Sequence, residues 1–243
     1  MKNKVSLLVH TFDGYQHFWP GMLYTLDFYW NFDSVPVYFA TEEIDRSSLK
    51  IDCKGIDYQI DPRINFITAG KGEFSDRFIK AIREIDSEWI IYIQEDMWLK
   101  RELSIDLINE LIECAESENA DSIKIHAVLY YYNQYRLEKT EYKIRGKNVL
   151  RYSQGDNFLL SHNATIWKKD YILRHQREGE NPWENEIKGS ERMSSEQHNH
   201  LHYNINWYCQ PGMAEKGDFS NEFHVYAHIV DHMKYLDLKF LET

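Results

Sequence analysis

The sequence has little cysteine and no pattern of cysteines typical of a zinc or redox site. Its three cysteines, Cys53, Cys114 and Cys209, are widely spaced, and no CxxC pair occurs. This argues against structural zinc and dithiol chemistry. No apolar run approaches the roughly 18 residues of a transmembrane helix. Met1 leads directly into a strand-like segment without a signal peptide, so we expect a cytoplasmic, reducing location.

Long basic runs and a P-loop are absent as well. The net charge is −11, which argues against a protein that holds nucleic acid on a broad positive surface. Local contact with a nucleic acid is still compatible with this charge. The glycine-containing stretch 69–73 lacks the GxxxxGK[ST] spacing that cradles phosphates. Aromatic residues, in contrast, are abundant, with 7 Trp, 17 Tyr and 12 Phe among 243 residues.

The stretch from Trp89 to Trp98 organises the chain. Five apolar residues, 89–93, predict a strand that is buried on both faces of a sheet. Glu95 and Asp96 follow it, and the carboxyl ends of such strands border the ligand crevice in open α/β sheets. Paired carboxylates suit Mg²⁺ or Mn²⁺ together with substrate phosphates. The alternative is an acidic junction that only faces water.

The order of the predicted elements indicates an α/β fold with a central, mostly parallel sheet. A small antiparallel element is expected in the C-terminal half. We favour one domain, 1–243, whose pattern changes from strand–helix alternation to looser, antiparallel structure after residue 126. Strands are predicted over 4–10, 35–40, 64–68, 89–93 and 122–126, a hairpin over 142–152, helices over 19–30, 74–85, 107–115 and 167–173, and a further helix starting at Pro182. His224, His228 and His232 fit either a helix or a strand.

Two acidic positions have both a functional and a structural interpretation. Asp13, next to Tyr15 in the loop after the first strand, suits a nucleotide contact, because its carboxylate can accept from a base or ribose while the ring stacks. It equally suits a cap in a turn. Glu184 and Glu186 point to different faces of a helix. One of them can therefore face a cleft, or both can cap or solvate the helix.

Several segments together resemble the small bacterial and phage glycosyltransferases of the GT-A type. The resemblance covers roughly residues 4–217 and is carried by 11–15, 74–77, 94–96, 163–170 and 182–186. It implies a nucleotide-sugar donor in the 1–126 half and the acceptor in the 127–243 half.

The resemblance also implies roles for individual residues. Asp13 and Tyr15, with Thr11 in the same loop, would contact the base or ribose of the donor, and Asp76 and Arg77 would lie beside it. Glu95 and Asp96 occupy the place of the family's DxD motif, although the sequence here is Gln94-Glu95-Asp96. Asp96 is the first candidate ligand for Mn²⁺ or Mg²⁺, and Glu95 is the second.

The chemistry of glycosyl transfer explains why such an enzyme needs a cation site and a general base. A divalent cation neutralises the charge that develops on the leaving diphosphate, and the acceptor hydroxyl needs a general base. Glu184 is the first candidate for the base and Glu186 the second. Trp183 is expected to stack on the acceptor sugar, and Trp167 is a further acceptor-binding candidate.

The sequence therefore predicts an inverting, metal-assisted glycosyltransferase that acts on a glycan or lipopolysaccharide intermediate. A nucleotidyltransferase is an alternative, because it would also use carboxylates at a strand end, in its case for phosphoryl transfer. A non-catalytic sugar-binding or assembly module would keep the aromatics without requiring Asp96 or Glu184. A phage enzyme that glycosylates a modified DNA base is a further alternative, although the acidic charge makes nucleic acid the weaker acceptor. A homodimer is expected only because symmetric dimers are the commonest oligomers of soluble proteins.

Overall fold

The fold is described by a computed structural model that covers residues 3–49, 52–53, 56–57, 59–127 and 137–209. The predicted His224, His228 and His232 segment lies outside these residues. A 3-10 helix spans Asp13–Phe18, and the α-helices are α1 (Trp19–Tyr29), α2 (Phe74–Glu84), α3 (Ile105–Ser117), α4 (Lys169–His175) and α5 (Pro182–Ser194). The strands are β1 (Asn3–His10), β2 (Val37–Thr41), β3 (Asp52–Cys53), β4 (Ile56–Asp57), β5 (Ile64–Thr68), β6 (Ser87–Gln94), β7 (Trp98–Leu99), β8 (Ser122–Lys124), β9 (Leu137–Ile144), β10 (Lys147–Tyr152), β11 (Thr165–Lys168), β12 (His200–His202) and β13 (Tyr208–Cys209).

One mixed sheet includes strands from both halves of the chain. Its nine strands lie in the order β5-β2-β1-β6-β11-β8-β12-β10-β9. The first four are mutually parallel, and β12 is parallel to β8. Strand β11 runs antiparallel to both β6 and β8, and β9 and β10 form an antiparallel hairpin at one edge. The α/β fold class is confirmed, and the antiparallel strands extend the main sheet instead of forming a separate element.

Strand β6 lies in the interior of this sheet, as its continuous apolar run predicts. Trp89, Ile91 and Ile93 point into the core shared with α1 and α3. Ile90 and Tyr92 point into the opposite core, where α2, α4 and α5 pack. Burying each of these side chains contributes about 1.5–3 kcal/mol. The strand is therefore a rigid support for the residues that follow it.

The predicted helix over 167–173 is only partly correct. Thr165–Lys168 form strand β11, and the helix starts at Lys169. Trp167 pairs with Ile90 of β6 and with Ser122 of β8, and it is 2% exposed. The β-branched and aromatic residues of 165–167 favour a strand between β6 and β8 over the start of a helix. Strand β12 has no counterpart among the predicted elements, and its two histidines, His200 and His202, are fully buried.

No helix among the described residues is long and apolar enough to cross a membrane.

Candidate active site

A cleft of about 310 Å³ opens where β1 and β6 end. Its position agrees with the rule that ligands bind beyond the carboxyl ends of parallel strands. The loop after β1, the start of α2, the end of β6 and the start of α5 all contribute to it. Its lining residues are His10, Thr11, Phe12, Tyr15, Glu42, Gly72, Glu73, Phe74, Arg77, Gln94, Glu95, Pro182 and Trp183.

The floor of the cleft includes an imidazole that the sequence analysis missed. His10 is 2% exposed at the end of β1, and its ring centroid lies 4.7 Å from that of Phe74. Burial, followed by the charge of Arg77, lowers the pKa of His10 well below its usual value, so the ring is neutral. Neither ring nitrogen has a hydrogen-bond partner among the described residues. A neutral imidazole here can donate a hydrogen bond to a ligand or accept one from it. In the sequence, the position of His10 at the end of a buried strand was the feature that could have identified it.

Arg77 supplies positive charge to the cleft. Its guanidinium lies 3.1 Å from the Glu42 carboxylate, donates to the Gly72 carbonyl at 2.5 Å, and lies 5.2 Å from the centre of the Phe12 ring. Among the described lining residues it is the single lysine or arginine. These contacts fix the side chain on one wall, where a phosphate can approach it.

Glu95 and Asp96 occupy the tight turn between β6 and β7. The turn is closed by a bond from the Met97 N–H to the Gln94 carbonyl, 3.0 Å long. Burial raises the pKa of Asp96 to about 6. Burial, and then the neighbouring Asp96 charge, raise the pKa of Glu95 well above its usual value. A buried and a half-buried carboxylate therefore repel each other in this turn.

The same turn has donor atoms suited to a divalent cation. Asp96 Oδ1 is buried and has no hydrogen-bond partner among the described residues. The described chain gathers no group of three His, Cys, Asp or Glu that could hold a metal by itself. Mg²⁺ and Mn²⁺ sites commonly use one or two carboxylates and complete their shell with water and substrate phosphate. The pair fits such an ion, and its role as a metal site stays a prediction.

The two glutamates of α5 have different surroundings. Glu184 completes a capping box with Asn181 and pairs with Lys188 at 2.9 Å, and the Lys188 bond lowers the pKa of Glu184 below its usual value. The helix start and Lys188 thus engage Glu184 at the surface, which makes it the weaker of the two candidates for the general base. Glu186 is half-buried, accepts from the His162 N–H at 2.6 Å, and has a pKa raised by burial.

Glu186 belongs to a buried polar group that the sequence did not reveal. Lys124 Nζ donates to the Ser161 hydroxyl at 3.0 Å, and burial lowers the pKa of Lys124 to about 7. The Lys124 charge in turn opposes the rise in the pKa of Glu186. The Tyr92 hydroxyl lies 3.4 Å from His162 Nδ1, and burial lowers the pKa of His162 to about 3. In the sequence, only the position of Lys124 within an apolar strand could have indicated this group.

Three other predicted site residues have structural roles. The Asp13 carboxylate accepts three backbone N–H bonds, from Glu42 and Glu43 at 2.9 Å and from Ile44 at 3.1 Å, so it caps the turn after β2. Asp76 accepts from the N–H groups of Glu73 and Gly179, at 2.9 and 2.8 Å. Neither lines the cleft; Asp96 and Glu186 are not lining residues either, but Asp96 adjoins the lining residue Glu95, and Glu186 is on the same helix as Trp183. Trp167 is buried in the core and does not line the cleft, so we do not propose it as an acceptor-binding residue.

The other predicted contacts do lie at the cleft. Thr11 is buried and donates to the Ala40 carbonyl at 2.8 Å, while Tyr15 is 38% exposed at the rim. Trp183 is 73% exposed at the opposite rim. The cleft thus combines one arginine, a carboxylate turn and three exposed rings, those of Phe12, Tyr15 and Trp183.

Comparison with known proteins gives a fold and no family. No family model matches the sequence, and no curated protein is significantly similar to it. TarS 1-349 from S. aureus, a glycosyltransferase, is similar with a TM-score of 0.53 and 10% identity, covering 84% of this chain and 59% of that one. The same protein in complex with UDP gives a TM-score of 0.50 and 10% identity over 86% of this chain and 59% of that one. A UDP-glucose pyrophosphorylase complexed with UDP-glucose gives 0.52 and 13% identity, over 95% of this chain and 99% of the other.

These neighbours establish the kind of fold and nothing finer. The chain spans 59% of the TarS chain but nearly all of the pyrophosphorylase. At such low identity, likeness of fold does not assign an activity. The chain has an α/β fold that a glycosyltransferase and a nucleotide-sugar pyrophosphorylase share.

Proposed function

We propose that this protein is a glycosyltransferase that moves a sugar from a nucleotide-sugar donor to a hydroxyl acceptor. The observation that carries the proposal is the cleft itself. It places the buried Glu95, Arg77 and the exposed Trp183 around one opening at the ends of β1 and β6, and Asp96 follows Glu95 directly in the turn. A diphosphate needs positive charge or a cation, and a sugar needs an aromatic surface and polar groups.

The donor occupies the part of the cleft built by the first half of the chain. Arg77 pairs with a phosphate oxygen, while Tyr15 and His10 contact the nucleoside. Asp96 and Glu95 would hold Mn²⁺ or Mg²⁺, which would neutralise charge on the leaving diphosphate. The two neighbours bound to UDP or UDP-glucose support a uridine nucleotide as the first donor to examine.

The acceptor enters beside Trp183, and Glu186 is its general base. Glu186 takes the proton of the acceptor hydroxyl, whose oxygen attacks the anomeric carbon as the bond from that carbon to the diphosphate breaks. The nucleoside diphosphate leaves, and the anomeric configuration inverts. A raised pKa suits a base that works near neutral pH. A glycan or lipopolysaccharide intermediate is the acceptor class we propose.

A nucleotidyltransferase is the second candidate, favoured by the end-to-end match with a UDP-glucose pyrophosphorylase. That reaction handles a nucleoside triphosphate and releases pyrophosphate, whose charges require several cationic partners. The described lining of this cleft provides Arg77 alone, already paired with Glu42. The single cationic side chain therefore favours the glycosyltransferase over the nucleotidyltransferase.

The products distinguish the candidates. The protein is incubated with UDP-, GDP-, CDP-, ADP- and dTDP-sugars, and nucleoside diphosphate and pyrophosphate are measured separately. Release of nucleoside diphosphate that is accelerated by glycans supports the proposal. Pyrophosphate formed from a nucleoside triphosphate and a sugar phosphate supports the second candidate. Glycan binding without either product identifies a sugar-binding module.

Removing the proposed metal ligand gives a further test. A nucleoside diphosphate at about 100 times its Kd stabilises the folded state by about 2.7 kcal/mol, which raises the Tm of a chain this size by about 5 °C or more. We expect this shift to require Mn²⁺ and to disappear in Asp96→Asn. Glu88→Gln, at the exposed other end of β6, is the matched control and should retain it. A metal-dependent shift that persists in Asp96→Asn rejects this ligand.

A further inference from the structure

Helix α5 presents a row of side chains that leads away from the cleft. Trp183 and Ile187 are 73% and 54% exposed, and Glu191 and Ser194 continue the row at helical spacing. The eleven-residue step from Trp183 to Ser194 corresponds to about 16 Å along the helix. Trp183 also lines the cleft, so the row begins at the proposed reaction site.

A second pocket of about 250 Å³ lies along the same helix. Ile187 and Glu191 line it from α5, and Asp156, Asn157 and Phe158 line it from the loop that precedes β11. The lining therefore mixes one aromatic ring and one aliphatic side chain with carboxylate and amide groups. Small-molecule sites commonly have this mixture of apolar surface and a few placed polar groups.

Phe158 is held in this pocket at a cost in free energy. Its φ is +57°, a left-handed conformation that side chains other than glycine rarely adopt. The buried Lys124 Nζ donates to the Phe158 carbonyl at 2.5 Å, which fixes the strained turn, and the ring remains 44% exposed. Strain of this kind persists where the surrounding structure imposes it, and it clusters at binding sites.

We propose that the row along α5 and the second pocket form an acceptor track for a linear glycan of neutral or amino sugars. This inference rests on the proposed function and extends it to the acceptor. Aromatic and aliphatic side chains cover the apolar faces of pyranose rings, while Asn157, Asp156 and Glu191 bond to hydroxyl or amino groups. The carboxylates and the net charge of −11 oppose uronic acids and other polyanions.

The track is tested on the full chain with an array of linear neutral, amino and uronic-acid glycans, from monosaccharides to hexasaccharides. Two variants remove track surface without threatening the fold. Phe158→Gly relieves the positive φ, and Ile187→Ala keeps a good helix former on α5. Phe28→Ala is the matched control, because Phe28 is a 64% exposed ring on α1, at the other face of the sheet.

Affinity for neutral or amino glycans should rise with chain length in the unmodified protein. Each track variant should raise the Kd of the hexasaccharide at least about tenfold, as loss of an anchoring contact does. The monosaccharide Kd and the nucleotide-induced thermal shift should stay unchanged in both variants, and Phe28→Ala should change nothing. Absence of glycan binding, affinity independent of length, preference for uronic acids, or indifference to both variants overturns the track.

The failure of this inference differs from the failure of the proposed function. The track is scored by length-dependent glycan affinity, and the proposed function by release of nucleoside diphosphate. A protein that releases nucleoside diphosphate but ignores glycan length has the activity without the track. A protein that binds long glycans through Phe158 and Ile187 but turns over no donor has the glycan site without the proposed reaction.

Discussion

At the scale of single residues, neighbouring carboxylates differ in function because their partners differ. Glu184 and Glu186 are two positions apart on α5, yet one caps the helix in solvent and the other accepts from the His162 N–H in a half-buried polar group. Burial raises the pKa of Glu186, whereas the Lys188 bond lowers that of Glu184. Only the environment of Glu186 is suited to a general base.

The two glutamates make a matched pair of variants. We expect Glu186→Gln to lower kcat about 10²- to 10⁴-fold, because the amide cannot take the hydroxyl proton. Glu184→Gln should stay within about threefold of the unmodified enzyme, since single exposed ion pairs contribute little. Steady-state rates with a saturating donor measure both, and circular dichroism checks the fold. Equal losses in the two variants would contradict the assignment of the base.

The pH dependence of the rate gives an independent check on Glu186. The base must be ionised to accept a proton, so activity should fall as pH drops through its raised pKa. The acidic limb of kcat/KM should therefore lie above pH 4.5, the ordinary value for a glutamate. A limb at or below that value argues against Glu186 as the base.

At the scale of elements, the start of α2 combines a structural and a binding role in adjacent residues. Asp76 joins this helix to the loop before α5 through the Gly179 N–H, and Ser75 exchanges bonds with Glu180 in the same loop. Arg77, the next residue, points into the cleft. The junction holds α5, and with it Trp183, against the donor side of the site.

Substitutions at this junction should separate stability from binding. Asp76→Ala removes a capping box and the bond to Gly179, and we expect it to lower the free energy of unfolding by about 1–2 kcal/mol. Arg77→Lys keeps the charge beside Glu42 but loses the guanidinium fork, and it should raise the nucleotide Kd about tenfold. Urea denaturation and calorimetric titration measure the two effects. Reversed results, with binding lost in Asp76→Ala and retained in Arg77→Lys, would place the donor elsewhere.

At the scale of the whole molecule, the far part of the sheet buries several neutral imidazoles. Burial lowers the pKa of His126 to about 2 and that of His202 to about 4, and it lowers the pKa of His200 well below its usual value. The unfolded chain binds these protons near pH 6.5 and the folded chain does not. Stability is therefore fully present above pH 6.5 and is lost as the pH falls towards the folded-state values.

This arrangement predicts acid sensitivity. Each such imidazole costs about 1.4 kcal/mol per pH unit below 6.5, so His202 alone accounts for about 3 kcal/mol by pH 4. The raised pKa values of Glu95, Asp96 and Glu186 act in the opposite direction, because the folded state retains those protons. Urea denaturation between pH 7.5 and 4.5 should show a falling free energy of unfolding, and His202→Gln should flatten the slope. A flat profile would contradict the buried, neutral state of these rings.

The sequence by itself determined most of the long elements and the position of the cleft. The apolar run of β6, the helical stripe of α2 and the start of α5 at Pro182 are local patterns, because periodicity reports which face of an element is buried. The rule for strand ends then located Glu95 and Asp96 beside the crevice.

Only the tertiary structure decided what the side chains in those elements do. The sequence cannot reveal that Asp13 accepts from the loop after β2, that Asp76 bonds Gly179, or that Lys124 lies buried near Glu186, since each partner is distant along the chain. A carboxylate becomes a cap or a base according to the donors and the solvent that long-range packing places around it. For the same reason Trp167 and Trp183, both tryptophans in the second half, became a core residue and an exposed wall of the cleft.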